Sequence, residues 1–311
     1  MTIAPLYIGI DISKKWLDIF DPSAGRMSRL LNTPEAIRLR IDEWQDADVF
    51  IVFEATGAYD TALGEALAAA GVAHARCNPA RVRDFARASG RLAKTDAIDA
   101  RMLSAFGSAL RPTPEPPAPE ARKHLYRLGK RRDQLVAMRV QEKNRLSITA
   151  DTGISAHIRR HIDYLNAEIA AIEDETAAFI ARSPELSAEE KRLRSVPGVG
   201  PVCAVQILSG LPEAGQISHK EIAALAGLAP MNHDSGSLRG QRAITGGRKR
   251  VRDALYIAAL NAVRREGPLK AFYTRLTDKG KPPKVALIAT ARKILTIINA
   301  IIKNQSKYAA T

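Results

Sequence analysis

Cysteine is almost missing from this chain: Cys77 and Cys203 are the only two, far apart and without metal-ligand spacing. That excludes a disulfide framework and a zinc site, and it fits a reducing cytoplasm. Acid is in deficit too. Lys and Arg outnumber Asp and Glu by 47 to 33, a formal charge of +14, with a sequence pI near 10.0. A globular chain of that balance attracts polyanions, and nucleic acid is the default partner. No long apolar run is uninterrupted: Val285 to Ile302 is broken by Arg292, Lys293 and Asn299. It reads as an amphipathic core helix, so no membrane partner is expected. The start, MTIAPLYIGIDIS, lacks a basic stretch leading into an apolar one, and no signal peptide is expected. No internal repeat of solenoid type is present.

What is present divides in two. Residues 1 to about 110 alternate strand and helix signals. Strands are expected at Leu6–Ile12, Trp16–Phe20, 28–32, Val49–Glu54 and Val72–Arg76, with helices at Pro34–Trp44, Tyr59–Ala70, from Pro79, and over Lys94–Leu110. Three strands able to pair antiparallel, followed by strand and helix in turn, describe a mixed α/β sheet. The segment RPTPEPPAPE, residues 111–120, is a proline-rich linker. Beyond it, 121–185 carries a stripe of Leu125, Leu128 and Leu135. After a break at TADTGIS comes the series Ile162, Leu165, Ile169, Ile172, Thr176 and Phe179. These steps of three and four predict a helical hairpin or short coiled coil, or equally one face of an ordinary bundle. Its first arm is basic, from Arg122 to Arg145. Residues 186–311 form a further, mainly helical domain.

Four acids stand out by position. Asp11 ends the first strand, Glu54 ends the fourth, and Asp96 and Asp99 lie three apart on a later helix, on one face. Such a cluster is repulsive unless cations occupy it. Two Mg²⁺ ions about 4 Å apart, with Mn²⁺ as the expected substitute, would neutralise it and clamp a phosphodiester. An Asp in the first strand with D-x-x-D on a later helix is the ribonuclease-H-like pattern of Holliday-junction resolvases. Asp18 is a nearby acid read as structural. GIDIS also resembles the first phosphate loop of the actin and sugar-kinase superfamily, but a second Gly-rich phosphate loop is lacking.

In the second half, SVPGVGPVCA (195–204) has the form of a helix-hairpin-helix, in which Gly198 and Gly200 would turn the backbone so that N–H groups face a DNA phosphate. Between Ser235 and Arg252 stand Arg239, Arg242, Arg248, Lys249, Arg250 and Arg252, and no acid. Ser235, in Asp234-Ser235-Gly236, is a candidate nucleophile: a phosphoserine intermediate needs an exposed hydroxyl beside guanidinium groups. Ser237 competes with it, and His233 is a candidate proton shuttle.

GIDISKKWLDIF, FEATGAYD and KTDAIDARML in the first half, with VPGVGPVCA, LAGLAPMNHDSG and GGRKRVRDALY in the second, carry a family resemblance. The chain resembles, over nearly its full length, the DEDD-type insertion-sequence transposases related to the Piv and MooV DNA invertases. The resemblance implies Asp11, Glu54, Asp96 and Asp99 as metal ligands and Ser235 as nucleophile. It also implies donor and target DNA as partners, a structured guide ("bridge") RNA, a coiled-coil middle serving assembly, and a homo-oligomer in which dimers build a tetramer in the bacterial nucleoid. Two rivals remain open: a resolvase-like nuclease without covalent serine chemistry, and a non-catalytic nucleic-acid-binding protein.

Overall fold

The protein is described from a computed structural model covering residues 5–45, 47–57, 59–90, 96–115, 119–231 and 243–309, without the side chains of 96–98 and 231. The chain divides into two compact units, Met1–Pro117 and Ala118–Thr311.

The first unit is built on a five-stranded sheet. The strands are β1 (Leu6–Ile12), β2 (Trp16–Asp21), β3 (Arg26–Leu31), β4 (Val49–Glu54) and β5 (His74–Cys77), in the order β3-β2-β1-β4-β5. β1, β2 and β3 pair antiparallel, whereas β4 runs parallel to β1 and β5 parallel to β4. This mixed order is consistent with the ribonuclease-H-like expectation. Helix α1 (Pro34–Trp44) starts where Thr33 caps its first turn and Pro34 presets the first helical φ. Together with α2 (Thr61–Ala69) it covers one face: Ile8, Ile10, Ile12, Leu17, Ile51 and Phe53 bury there with Ile37, Ile41, Leu63 and Leu67. The opposite face receives α3 (Pro79–Ala88) and α4 (Asp96–Leu110), where Phe50 and Val52 pack on Val82, Met102, Leu103 and Phe106.

The second unit is helical, and begins with α5 (Glu120–Ile148) and α6 (Thr152–Ala181). These form an antiparallel hairpin: Arg132 pairs with Glu173 at 2.6 Å and Arg139 donates to Asn166 at 2.9 Å. Leu135, Leu165 and Ile169 make a small core between the arms. Leu125 does not join that seam; it buries in the main core of the unit. The expected stripe is thus divided between two cores.

That main core gathers α7 (Pro184–Arg194), α8 (Pro201–Gly210), α9 (His219–Leu225), α10 (Lys249–Ala262), α11 (Pro268–Asp278) and α12 (Pro283–Asn304). α12 is long and apolar enough to cross a membrane by length and composition, yet Ala291, Ile294, Leu295 and Ile298 are fully buried in this core. Asn299, which interrupts the apolar run, is buried and satisfied: it accepts from the Gly215 N–H at 2.7 Å and donates to the Ile217 carbonyl at 2.9 Å. A two-residue ribbon, β6 (Pro230–Met231) with β7 (Ala243–Ile244), pairs antiparallel.

Candidate active site

Strand alternation fixes where the acids of the first unit stand. On β1, Ile8, Ile10 and Ile12 point to the α1–α2 face, so Tyr7, Gly9 and Asp11 take the α4 face. On β4 the same count puts Phe50, Val52 and Glu54 on the α4 face. Ile10 is registered with Phe53 in the parallel pair. Asp11 and Glu54 are therefore the next residues along two neighbouring strands, on one face of the sheet, and both are half-buried.

α4 approaches this edge along β1. The Ser104 hydroxyl donates to the Tyr7 carbonyl at 2.6 Å. Two residues further along β1, a Cβ at Gly9 would stand 2.0 Å from the Ala100 carbonyl oxygen. As β1 advances, α4 is therefore met at earlier residues, and its first turn with Asp96 and Asp99 lies toward the Asp11 end. Asp99 is half-buried; the side chain of Asp96 lies outside the described residues. Among the described residues no three His, Cys, Asp or Glu side chains form a group able to hold a metal. An all-carboxylate donor set of this kind suits a hard cation such as Mg²⁺.

Asp18 is directly opposite Asp11 in the antiparallel pair. It is occupied by Arg29, whose Nε and Nη2 reach its two oxygens at 2.7 and 3.0 Å. This cross-strand pair offsets the repulsion between two facing aspartates. Sequence reasoning missed Asn32. Its side-chain amide donates to the Ser13 carbonyl at 3.0 Å and the Tyr59 carbonyl at 2.9 Å, tying together the loops that follow β1 and β4. A single Asn before a helix cap gives no signal of that role. Asp60, 1% exposed, was missed also; its closest cation is Arg76, at 3.6 Å.

In the second unit Ser235, Ser237, His233, Arg239 and Arg242 lie outside the described residues. The rest of the basic segment is largely engaged within its own chain. Arg248 forks onto Glu213 with two bonds of 2.6 Å and also reaches the Gly210 carbonyl. Arg250 pairs with Asp133 at 2.8 Å and stacks over Tyr126. Lys249 pairs with Asp253, and Arg252 donates to the Gly246 carbonyl. Arg248 and Arg250 thus serve as internal struts, tying α10 to Glu213 and to Asp133.

Gly198 and Gly200 differ in what requires them. Gly198 has φ +88°, and a Cβ there would stand 2.2 Å from the Ala258 carbonyl oxygen, so it serves the packing of the α7–α8 turn on α10. Gly200, at the N-cap of α8, has open space around it.

Comparison with known proteins finds two family models along the chain. A family model of DEDD type described as "Transposase" matches residues 8–152, and one described as "Transposase IS116/IS110/IS902 family" matches 190–274. The pilin gene-inverting proteins of Moraxella lacunata and Moraxella bovis are each 28% identical over 97% of both chains. An uncharacterized 42 kDa protein of insertion element IS900 from Mycobacterium paratuberculosis is 28% identical over 50% of this chain and 39% of its own. Two family models, following one another along most of the chain in the order of its two units, place it: the chain belongs to the IS116/IS110/IS902 family of transposases.

Proposed function

We propose that this transposase excises and inserts a mobile element by cutting and rejoining DNA at the sheet edge that carries Asp11 and Glu54. The observation that supports it is the placement of those two acids, side by side on the face covered by α4. Asp11, Glu54, Asp96 and Asp99 would hold divalent metal there, Mg²⁺ by preference and Mn²⁺ in its stead. When bound, the metal neutralises the acids and stabilises charge on phosphoryl oxygens. The protein's own part is to hold the four carboxylates on one sheet edge, with Arg29 drawing Asp18 out of competition for the same cations.

In this reading Ser235 is the nucleophile. Its Oγ forms a bond to a backbone phosphorus, the bond from that phosphorus to one strand's oxygen breaks, and the serine proton ends on the departing DNA hydroxyl. The ester conserves the bond energy for rejoining by the reverse exchange with a new strand. The DSG triplet and the cations Arg239 and Arg242 support this assignment from the sequence. The reading extends to a ribonuclease-H-like first domain over residues 1–110, linker 111–120, a coiled-coil hairpin over 121–185 that joins subunits, and a C-terminal domain over 186–311 with a helix-hairpin-helix at Gly198 and Gly200. It also extends to a tetramer in which acids and serine come from different protomers, and to target choice by a structured RNA. The net charge of +14 and the basic face of α5 support an RNA partner.

The test is recombination of a plasmid carrying the element's ends. Asp11→Ala and Glu54→Ala should each abolish product while the protein stays folded, and full activity in either would remove the proposal. Ser235→Ala should lose the covalent protein–DNA band that a suicide substrate leaves on a denaturing gel, and Ser237→Ala should keep it. An active Ser235→Ala protein forming no adduct would favour the nuclease reading.

A further inference from the structure

The cations from Arg248 to Arg250 are largely spent on Glu213, Asp253 and Asp133. Another set is not. Between Arg264 and Lys293 the chain holds nine Lys and Arg against two acids, Glu266 and Asp278. Glu266 is taken by Lys270. Arg264, Arg265, Arg275, Lys279, Lys281 and Lys284 are all exposed, and among the described residues none has a carboxylate partner. Their distribution is not explained by local helix energetics. Cations at a helix C-terminus are stabilising, which covers Arg275 and Lys279 at the end of α11. Lys284, in the first turn of α12, opposes the helix dipole and so costs local stability.

These residues form two groups, one on each side of α11. Arg264 and Arg265 precede it; Arg275, Lys279, Lys281 and Lys284 lie at its far end and across the turn into α12. A helix of 11 residues is about 16 Å long, which compares with a duplex major groove about 12 Å wide. Neither ring of α11 is offered for base stacking: Phe272 lies under Arg275, 5.4 Å away, and Lys293, 4.6 Å away, and Tyr273 packs against the main core. Cations in two groups a groove apart, without a stacking platform, suit the phosphates of a duplex and not a splayed single strand. The family match ends at residue 274, so four of the six cations lie beyond it.

We infer that the exposed face formed by α11 and the start of α12 is a second DNA-binding surface, gripping the two backbones of a duplex without reading its sequence. The inference rests on the reading of the chain as a DNA recombinase. The test uses the full chain and a labelled duplex of unrelated sequence, with binding measured from 50 to 300 mM salt. In the variant Arg275→Glu/Lys281→Glu/Lys284→Glu, affinity should fall at least tenfold. Each lost phosphate contact should also flatten the slope of log affinity against log salt by about 0.9. A charge-matched control, Arg38→Glu/Arg83→Glu/Arg159→Glu, changes exposed residues elsewhere and should lose less than threefold. Glutamine in place of glutamate at the three positions should give a smaller loss in the same direction, with an unchanged melting temperature. Equal losses in variant and control, or an unchanged slope, would overturn the inference while leaving the recombinase reading intact. Loss of affinity for a structured RNA alone would overturn the assignment to DNA. A wild-type protein that binds no duplex at all would defeat the underlying reading as well.

Discussion

A methyl group at Gly9 would collide with backbone atoms alone, the Ala100 oxygen and the Ser104 nitrogen at 2.0 and 2.5 Å. Backbone cannot rotate away as a side chain can, so Gly9→Ala should push α4 off β1. We expect a loss of about 1–3 kcal/mol or more in urea melts, together with a larger loss of strand cleavage, because α4 carries Asp96 and Asp99. Unchanged cleavage in this variant would mean that the seating of α4 does not matter to the site. The glycine of GIDIS was visible in the sequence, but its reason was not, since the helix it admits begins 87 residues later. Asp11 and Glu54 were legible because each ends an apolar run; Asn32 was not, because its two partners are backbone carbonyls that sequence does not mark. Cys203 illustrates a different residue-scale effect. Burial pushes its thiol up to about 12, so the thiolate that alkylating reagents attack is scarce at neutral pH. Native protein should leave Cys203 unmodified by iodoacetamide over an hour in which denatured protein reacts fully; rapid native labelling would contradict its burial.

At the scale of elements, the Arg248–Glu213 pair anchors the start of α10 against the end of α8 and the turn beyond it. Burial opposes the charge of Glu213, but the hydrogen bonds and charge of Arg248 outweigh it and hold the carboxyl below its ordinary value. A carboxyl depressed in the folded state contributes stability at pH above its unfolded value. That contribution is lost as pH falls through the lower folded value. Urea midpoints measured from pH 6 to pH 3 should therefore fall more steeply for wild type than for Glu213→Gln, and identical acid limbs would refute the linkage. In the α5–α6 hairpin, Leu165→Ala should cost about 2–5 kcal/mol, since Leu165 is buried with Leu135 and Ile169, and Val136 and Ile172 pack against them. Apolar periodicity with cap signals recovered the bounds of α1, β1 and β4 residue for residue. It did not reveal that Leu125 leaves the hairpin seam, because spacing reports a helix face and not which neighbour covers it. Proline content marked 111–120 as a linker, yet the Glu115 N–H donates to the His74 carbonyl at 2.8 Å, a bond that no composition rule foresees.

The whole molecule pairs a sheet unit bearing acids with a helical unit bearing unpaired cations, and the formal charge of +14 rests mainly on the second. That asymmetry suits the recombination proposed above, in which one unit would hold divalent cations and the other would attract the DNA to be cut. Composition and motif order made this division legible from the sequence. The identity of the free cations was not, since Arg248 and Arg275 look alike until their partners are placed. In the proposed function Asp11, Glu54, Asp96 and Asp99 act together as a metal site. Its most direct measurement is the melting temperature of nucleic-acid-free protein as Mg²⁺ or Mn²⁺ is titrated. A ligand that binds only the folded state stabilises it by about 2.7 kcal/mol at a hundredfold excess over its dissociation constant. Wild type should therefore gain several degrees, saturably. Asp11→Asn, which removes one ligand and some repulsion, should melt slightly higher without metal and gain little on its addition. A wild type indifferent to both ions, or an Asp11→Asn protein that responds to them as wild type does, would mean that these carboxylates do not hold metal.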